Sequence, residues 1–155
     1  MRRWFALLAL HLAGLLAGRA GAAAADAGLG SAYTEATVDK VKTSIYVGNV
    51  TLDMPPFQRG QSRYASTYSA RVFPYFFYNE KGRIEIELTD EDLRKLAAGE
   101  RVPFTGRAEN LDGEPRRVEG HATPDDALSG TIKVRVWVSP KIELIFNSRY
   151  RFTGR

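Results

Sequence analysis

Few residues in this 155-residue chain can carry catalysis, and they fall in two places. There is no cysteine, and there are two histidines. His11 sits in an apolar N-terminal run, so a Ser-His-acid arrangement would have to use His121. Asp125 and Asp126 follow His121 closely, but one histidine with two loop carboxylates has no recognised ligand spacing, and no metal site is expected. The second place is Glu85 and Glu87. Two residues apart on a strand, they share a face, with carboxylates ~6–7 Å apart. Tyr75 and Phe77, in VFPYFFYNEKG (72–82), would stand across from them if Asn79–Gly82 is a tight turn. Carboxylates beside aromatic rings suit glycoside hydrolysis. Glutamate is also an ordinary residue of a solvent face, where its methylenes cover a neighbouring ring. No phosphate-binding glycine loop or dinucleotide fingerprint is present, so no cofactor is expected. An enzyme is therefore not the leading reading. A glycan-acting hydrolase using Glu85 and Glu87 is the second alternative.

The aromatics divide by position. Tyr64, Tyr68, Phe76 and Tyr78 share the even parity of the apolar residues and are expected in the core. Phe73, Tyr75, Phe77 and Trp137 share the odd, polar parity, as does His121. Rings on a solvent face need a cover from a helix, the N-terminal leader, a partner or a ligand. These five residues are the candidate ligand or partner contacts.

The elements that must position them alternate with a period of two. In VPFTGRAENLDGEPRRVEGHA (102–122), Asn110-Leu111-Asp112-Gly113 suits a three-residue hairpin loop. One face then carries Val102, Phe104, Gly106, Ala108, Val118, Gly120 and Ala122, with Arg116 the exception. Asn79–Gly82 repeats the N-x-x-G form and predicts that Tyr78 faces Ile84, Phe76 faces Ile86 and Pro74 faces Leu88. Ile132, Val134, Val136 and Val138 lead through Ser139-Pro140-Lys141 to Ile142, Leu144, Phe146, Tyr150 and Phe152. A first strand over about 41–53 contributes Tyr46, Val50 and Leu52. TDEDLRKLAAG predicts one short helix, about 90–98, with Thr89 as N-cap, Asp92 three residues on and Gly99 closing it. The fold class is all-β: a single antiparallel meander of about seven strands forming a small barrel or sandwich with one short helix. Tight turns alternate with wide connections, which places all the wide loops, and the expected functional rim, at one end.

The N-terminus sets the compartment. Arg2 and Arg3 precede an apolar run to Gly18, and GAAAAD supplies a small-residue cleavage site. Residues 1–25 read as a secretory signal peptide, 26–39 as a flexible leader and 40–153 as a single β domain. The expected location is periplasmic or extracellular. The chain has 22 Lys+Arg and 18 Asp+Glu; Arg2, Arg3 and Arg19 leave with the signal, so the mature balance is 19 against 18. That balance gives no support to nucleic-acid binding. In general pattern this exported, cysteine-free β-domain resembles small lipocalin-like barrels, a likeness of fold that carries no function. The leading reading is an exported non-enzymatic β-barrel or sandwich. It would bind a small apolar or amphipathic (lipid-like) ligand or an envelope protein partner, without membrane association beyond the signal peptide. The first alternative is a small outer-membrane β-barrel, whose strands also alternate.

Overall fold

A computed structural model describes residues 32–154; the expected signal peptide lies outside them. Ten strand segments and one helix follow in order. They are β1 (Glu35–Val38), β2 (Val41–Ile45), β3 (Gly48–Asp53), β4 (Phe57–Arg59), β5 (Arg63–Phe73), β6 (Glu80–Glu87), α1 (Asp90–Ala97), β7 (Val102–Asn110), β8 (Pro115–Pro124), β9 (Ser129–Ser139) and β10 (Ile142–Thr153). A 3-10 turn at Phe76–Tyr78 lies between β5 and β6.

All pairings are antiparallel. Strands β5 to β10 pair as sequential neighbours, β10 pairs with β1, β1 with β4, and β4 with β5. This closes an eight-stranded barrel, and β2 and β3 are extra strands beyond it, β3 laid on the far part of β5. The expected count of about seven strands is thus corrected to ten segments around eight barrel positions. From Ala65, hydrogen-bonded partners followed through β6 to β9 reach Glu143 on β10. Followed through β4 and β1 they reach Thr153, a stagger of ten residues around the barrel. Such a stagger goes with strongly tilted strands and an interior just wide enough for side chains to fill.

The even-parity face points inward, as alternation requires. Ala36, Val50, Tyr64, Tyr68, Ile84, Val102, Ala108, Val118, Ala122, Phe146, Tyr150 and Phe152 are buried. The hairpin over 102–122 has the expected register, with Val102 opposite Ala122 and Phe104 opposite Gly120. Gly113 N donates to Asn110 O at 3.0 Å across its turn. Inward parity departs from even in β2, at Val41, and in β4, at Phe57, both buried odd positions, and returns to even in β3 and β5. Each departure follows a break in its strand, at 39–40 and at 54–56, which shifts the pleat by one residue. Tyr46, expected on the apolar face, is fully exposed at the β2–β3 tip.

Two other expectations are corrected. The leader was expected to run to residue 39, yet Tyr33 is buried and β1 is a barrel strand. Tyr33 donates to Ala127 O at 2.6 Å and accepts, through its backbone carbonyl, from Tyr64 Oη at 2.5 Å. Its ring meets Phe152 edge-on at 4.8 Å. The hairpin at Asn79–Gly82 is not a tight turn. Tyr64 pairs with Ile86 and Ala70 with Glu80, so the loop is 74–79 and Gly82 lies within β6. A Cβ on Gly82 would stand 2.0 Å from Glu109 O, so this glycine serves close strand approach and not a turn.

One end of the barrel carries the wide connections and α1, the other the tips at 46–47, 74–79, 111–114 and 140–141. Helix α1 begins with a capping box: Thr89 Oγ1 accepts from Asp92 N at 3.2 Å and Asp92 Oδ2 accepts from Thr89 N at 2.9 Å. Its Leu93 and Leu96 are almost fully buried and close the interior at the wide end. Leu93→Ala should cost about 3 kcal/mol, the range for a buried leucine whose cavity collapses only in part. A drop in the midpoint of urea unfolding checks it; an unchanged midpoint would mean that α1 does not seal the core.

Candidate functional site

The interior is stratified. Tyr33, Tyr64, Tyr150, Phe152 and α1 fill the wide end. Burial raises the Tyr150 hydroxyl, with Asp125 and Asp126 adding to the effect, to about 12. The middle holds a cavity of about 110 Å³ walled by Leu52, Ile84, Phe104, Val118, Val134 and Phe146 among others. A second space of about 50 Å³ lies toward the tight end, where Tyr68, Glu80 and Arg116 join the wall. Drug-sized ligands occupy roughly 300–1,000 Å³. An apolar cavity of the size present here holds something nearer benzene.

Glu80 and Arg116 form a polar plug. Arg116 Nη2 lies 3.0 Å from Glu80 Oε2 and 2.8 Å from Glu114 Oε2. Tyr68 Oη donates to Glu80 Oε1 at 2.6 Å, and Asn110 Nδ2 donates to Glu114 Oε2 at 2.9 Å. The plug exists because β5, β6, β7 and β8 each place one even, inward position at the same level. Arg116 is the charge that broke the apolar parity of its hairpin; its partners are set by register. Burial, then the bond that the hydroxyl donates to Glu80 and the charge of that carboxylate, push Tyr68 well above its ordinary value.

The tight end carries the exposed apolar surface. Among the described residues, Tyr46, Val47, Phe73, Tyr75, Phe76, Phe77, Tyr78, Leu111 and Ile142 are exposed there, and of the large exposed hydrophobics only Leu128 lies at the wide end. Phe76 and Tyr78, expected in the core, are 63% and 66% exposed. The reason is the loop. After Phe73 the strand ends, the Phe73–Pro74 peptide is cis, and the 3-10 turn carries the rings outside the barrel. The rings lean on one another: Phe73 on Phe76 at 5.8 Å, Tyr75 on Phe77 at 5.9 Å, and Phe77 on Tyr78 at 4.5 Å. Gly48, at φ 113°, allows the β2–β3 tip to lie against this loop, since a Cβ there would stand 1.9 Å from Phe73 O.

Of the five candidate contacts, the structure brings Phe73, Tyr75 and Phe77 together and leaves the other two elsewhere. Trp137 lies half-buried on the outer face of β9, covered by the Arg117 guanidinium 3.9 Å above its ring. His121 lies on the outer face of β8 opposite Pro103 and Lys133, beside a polar groove with Thr123, Thr131, Asn147 and Arg149. Partial burial, then Arg101, Lys133 and Arg135, lower its pKa. The residues missed by sequence reading are Tyr46, Val47, Phe76, Tyr78, Leu111 and Ile142 at the rim, and the Glu80–Arg116 plug. Only Arg116 and Glu80, charged residues on an apolar parity, carried a signal.

The carboxylate pair loses its setting. With Tyr64 opposite Ile86, Tyr75 and Phe77 no longer face Glu85 and Glu87. Glu85 pairs with Arg63 at 2.9 Å, and Glu87 accepts from Thr105 Oγ1 at 3.2 Å. The outer faces bear on the spanning-barrel alternative. Arg63, Arg83, Arg107, Arg117, Lys133, Arg135, Arg149 and Arg151 lie on the outer faces, where a spanning barrel carries its lipid-facing apolar band. Among the described residues, no group of three or more His, Cys, Asp or Glu is placed to hold a metal ion. No family model, curated protein or solved structure matches the chain.

Two measurements follow from these charges. Hydrogen bonds from Arg116 and then Asn110 hold the Glu114 carboxyl below its ordinary range. A depressed folded value means stabilisation that is complete above the unfolded pKa and lost as pH falls through the folded one. Arg116→Leu leaves the half-buried Glu80 without its cation and frees the exposed Glu114, and should lower the midpoint of urea unfolding at pH 7. That deficit should shrink as pH falls and the wild type loses the same interaction; a deficit constant down to pH 3 would mean that the loss is one of packing. For His121, an NMR titration should give a midpoint below about 6.5. Its stabilisation by the neutral form is complete above the unfolded value and lost as pH falls through the folded one.

Proposed function

We propose that this chain is an exported, non-enzymatic barrel domain that docks to an envelope partner through the aromatic rim at its tight-turn end, and is not a carrier loaded through its interior. The observation behind this reading is the exposed ring cluster of loop 73–78 with the β2–β3 tip. Contiguous exposed apolar patches of this kind mark interaction sites. Helix α1, a cover that the chain itself offers, seals the opposite end.

The interior supports the same reading, because it is small and closed at both ends by α1 and by the Arg116 plug. A small apolar molecule in the 110 Å³ cavity remains a second reading, favoured by its wholly apolar lining.

Hydrogen exchange of the purified protein, with and without isolated envelope fraction, tests the docking reading. Amides of 73–79 and 46–48 should gain protection in the envelope fraction while the outer faces of β8 and β9 do not. Equal exchange in both conditions would sink the reading.

A further inference from the structure

We infer that the surface met by the rim is the headgroup layer of a phospholipid bilayer that contains anionic lipid. This rests on the docking reading and names its partner. Three features of loop 73–78 and its surroundings argue for lipid.

The first is the ring chemistry. Phe73, Phe76 and Phe77 are interleaved with Tyr75 and Tyr78, and Tyr46 stands at the adjoining tip, all exposed. Tyrosine has an apolar body and a polar end, and the mixture suits a layer that is apolar on one side and wet on the other.

The second is the backbone. A segment that approaches the boundary of the acyl region loses less when its donors are already paired. Pro74 has none. Phe76 N donates to Pro74 O at 3.1 Å, Tyr78 N to Tyr75 O at 3.0 Å and Asn79 N to Phe76 O at 3.1 Å. The Asn79 side chain accepts from Val72 N at 2.8 Å, closing the base of the loop. Tyr75 N and Phe77 N have no such bond among the described residues, so docking at headgroup depth leaves these two amides to headgroup or water oxygens.

The third is the charge around it. Lys42, Thr51 and Arg71 form one cross-strand row behind the loop, and Lys81 follows on β6. Lys42, Arg71 and Lys81 are exposed. Asp53, level with Lys81 across Ser69, is exposed but paired with Lys40 at 2.8 Å, while Asp112, Glu114 and Glu143 lie on the β7–β8 turn and on β10, away from the rings, with exposed Lys141 beside Glu143. Glu80, the one acid beside the loop, is turned inward to Tyr68 and Arg116. The aromatic side of the rim thus carries an excess of basic residues. A barrel docking on its aromatic side would set Lys42, Arg71 and Lys81 against anionic headgroups, where each adds to binding and salt weakens it. The charged outer faces of the strands keep the rest of the barrel in water.

The experiment is flotation of the purified protein with vesicles of phosphatidylcholine alone or mixed with phosphatidylglycerol, at low and high salt. Binding is expected to the mixed vesicles, to be weaker to phosphatidylcholine, and to fall with salt. Phe76→Ser with Phe77→Ser should lower the partition coefficient by about tenfold or more. Lys42→Glu with Lys81→Glu should remove the preference for anionic lipid. These residues are exposed, so circular dichroism and the melting temperature should stay unchanged, which separates lost docking from lost fold. No flotation with either vesicle, or flotation indifferent to Phe76→Ser/Phe77→Ser, overturns the inference. If loop 73–79 is protected by envelope fraction yet indifferent to vesicles, the docking reading stands with a protein partner and the lipid inference is wrong.

Discussion

The ladder between β1 and β10 makes a barrel out of a meander. Without it, β10 and the β1–β4 run would be open edges with unpaired backbone groups. With it, Glu35–Val38 takes up the donors and acceptors of Tyr150–Thr153, and Asp39 N extends the pairing to Arg149 O. Beyond that point the ladder stops. The wall between β2 and β10 is bridged instead by side chains, with Thr43 Oγ1 donating to Ile145 O at 2.7 Å. Closure fixes the ten-residue stagger, and the stagger fixes which inward side chains share a level. The aliphatic middle, the tyrosine-rich wide end and the Glu80–Arg116 plug all follow from it.

The plug shows how a charge is tolerated in such a space. Arg116 would be costly inside an apolar barrel if alone. Two carboxylates meet it, one of which also accepts from Tyr68, and Asn110 binds the other while its own Oδ1 accepts from Asp112 N and Glu114 N. The network ties the end of the β7–β8 hairpin to β5 and β6. Its effect is to seal the barrel at the end where the rings are presented, so that rim and interior are separate compartments.

The rim itself is held by contacts within the chain. Ring-on-ring contacts order loop 73–78, Asn79 closes its base, and Gly48 lets the neighbouring tip lie against it. A preformed surface loses less conformational freedom on docking. The expectation that the wide end would be the functional one rested on loop length. At that end the long connection folds into α1 and is consumed in closing the core, while the shorter loop carries the exposed rings.

The sequence by itself determined the alternation, the all-β class, the helix with its Thr89 cap, and the register of the 102–122 hairpin. These are local: a period of two, a capping box and a type I turn are each written within a few residues. It also marked Arg116 as out of place. Tertiary structure alone decided the rest. The β5–β6 register could not be read, because Asn79-Glu80-Lys81-Gly82 has the form of a turn while Gly82 is needed for contact with β7, a strand about thirty residues away. An even-numbered shift of register preserves parity, so the alternation survived the error and could not reveal it. Tyr33 and β1 looked like a leader because their partners, Phe152 and β10, lie at the other end of the chain. The fate of the rings in VFPYFFY followed from the same register. Shortening the hairpin by twelve residues in pair sum takes Phe76 and Tyr78 out of the core and sets them beside Phe73, Tyr75 and Phe77, on the 3-10 turn beyond the end of β5.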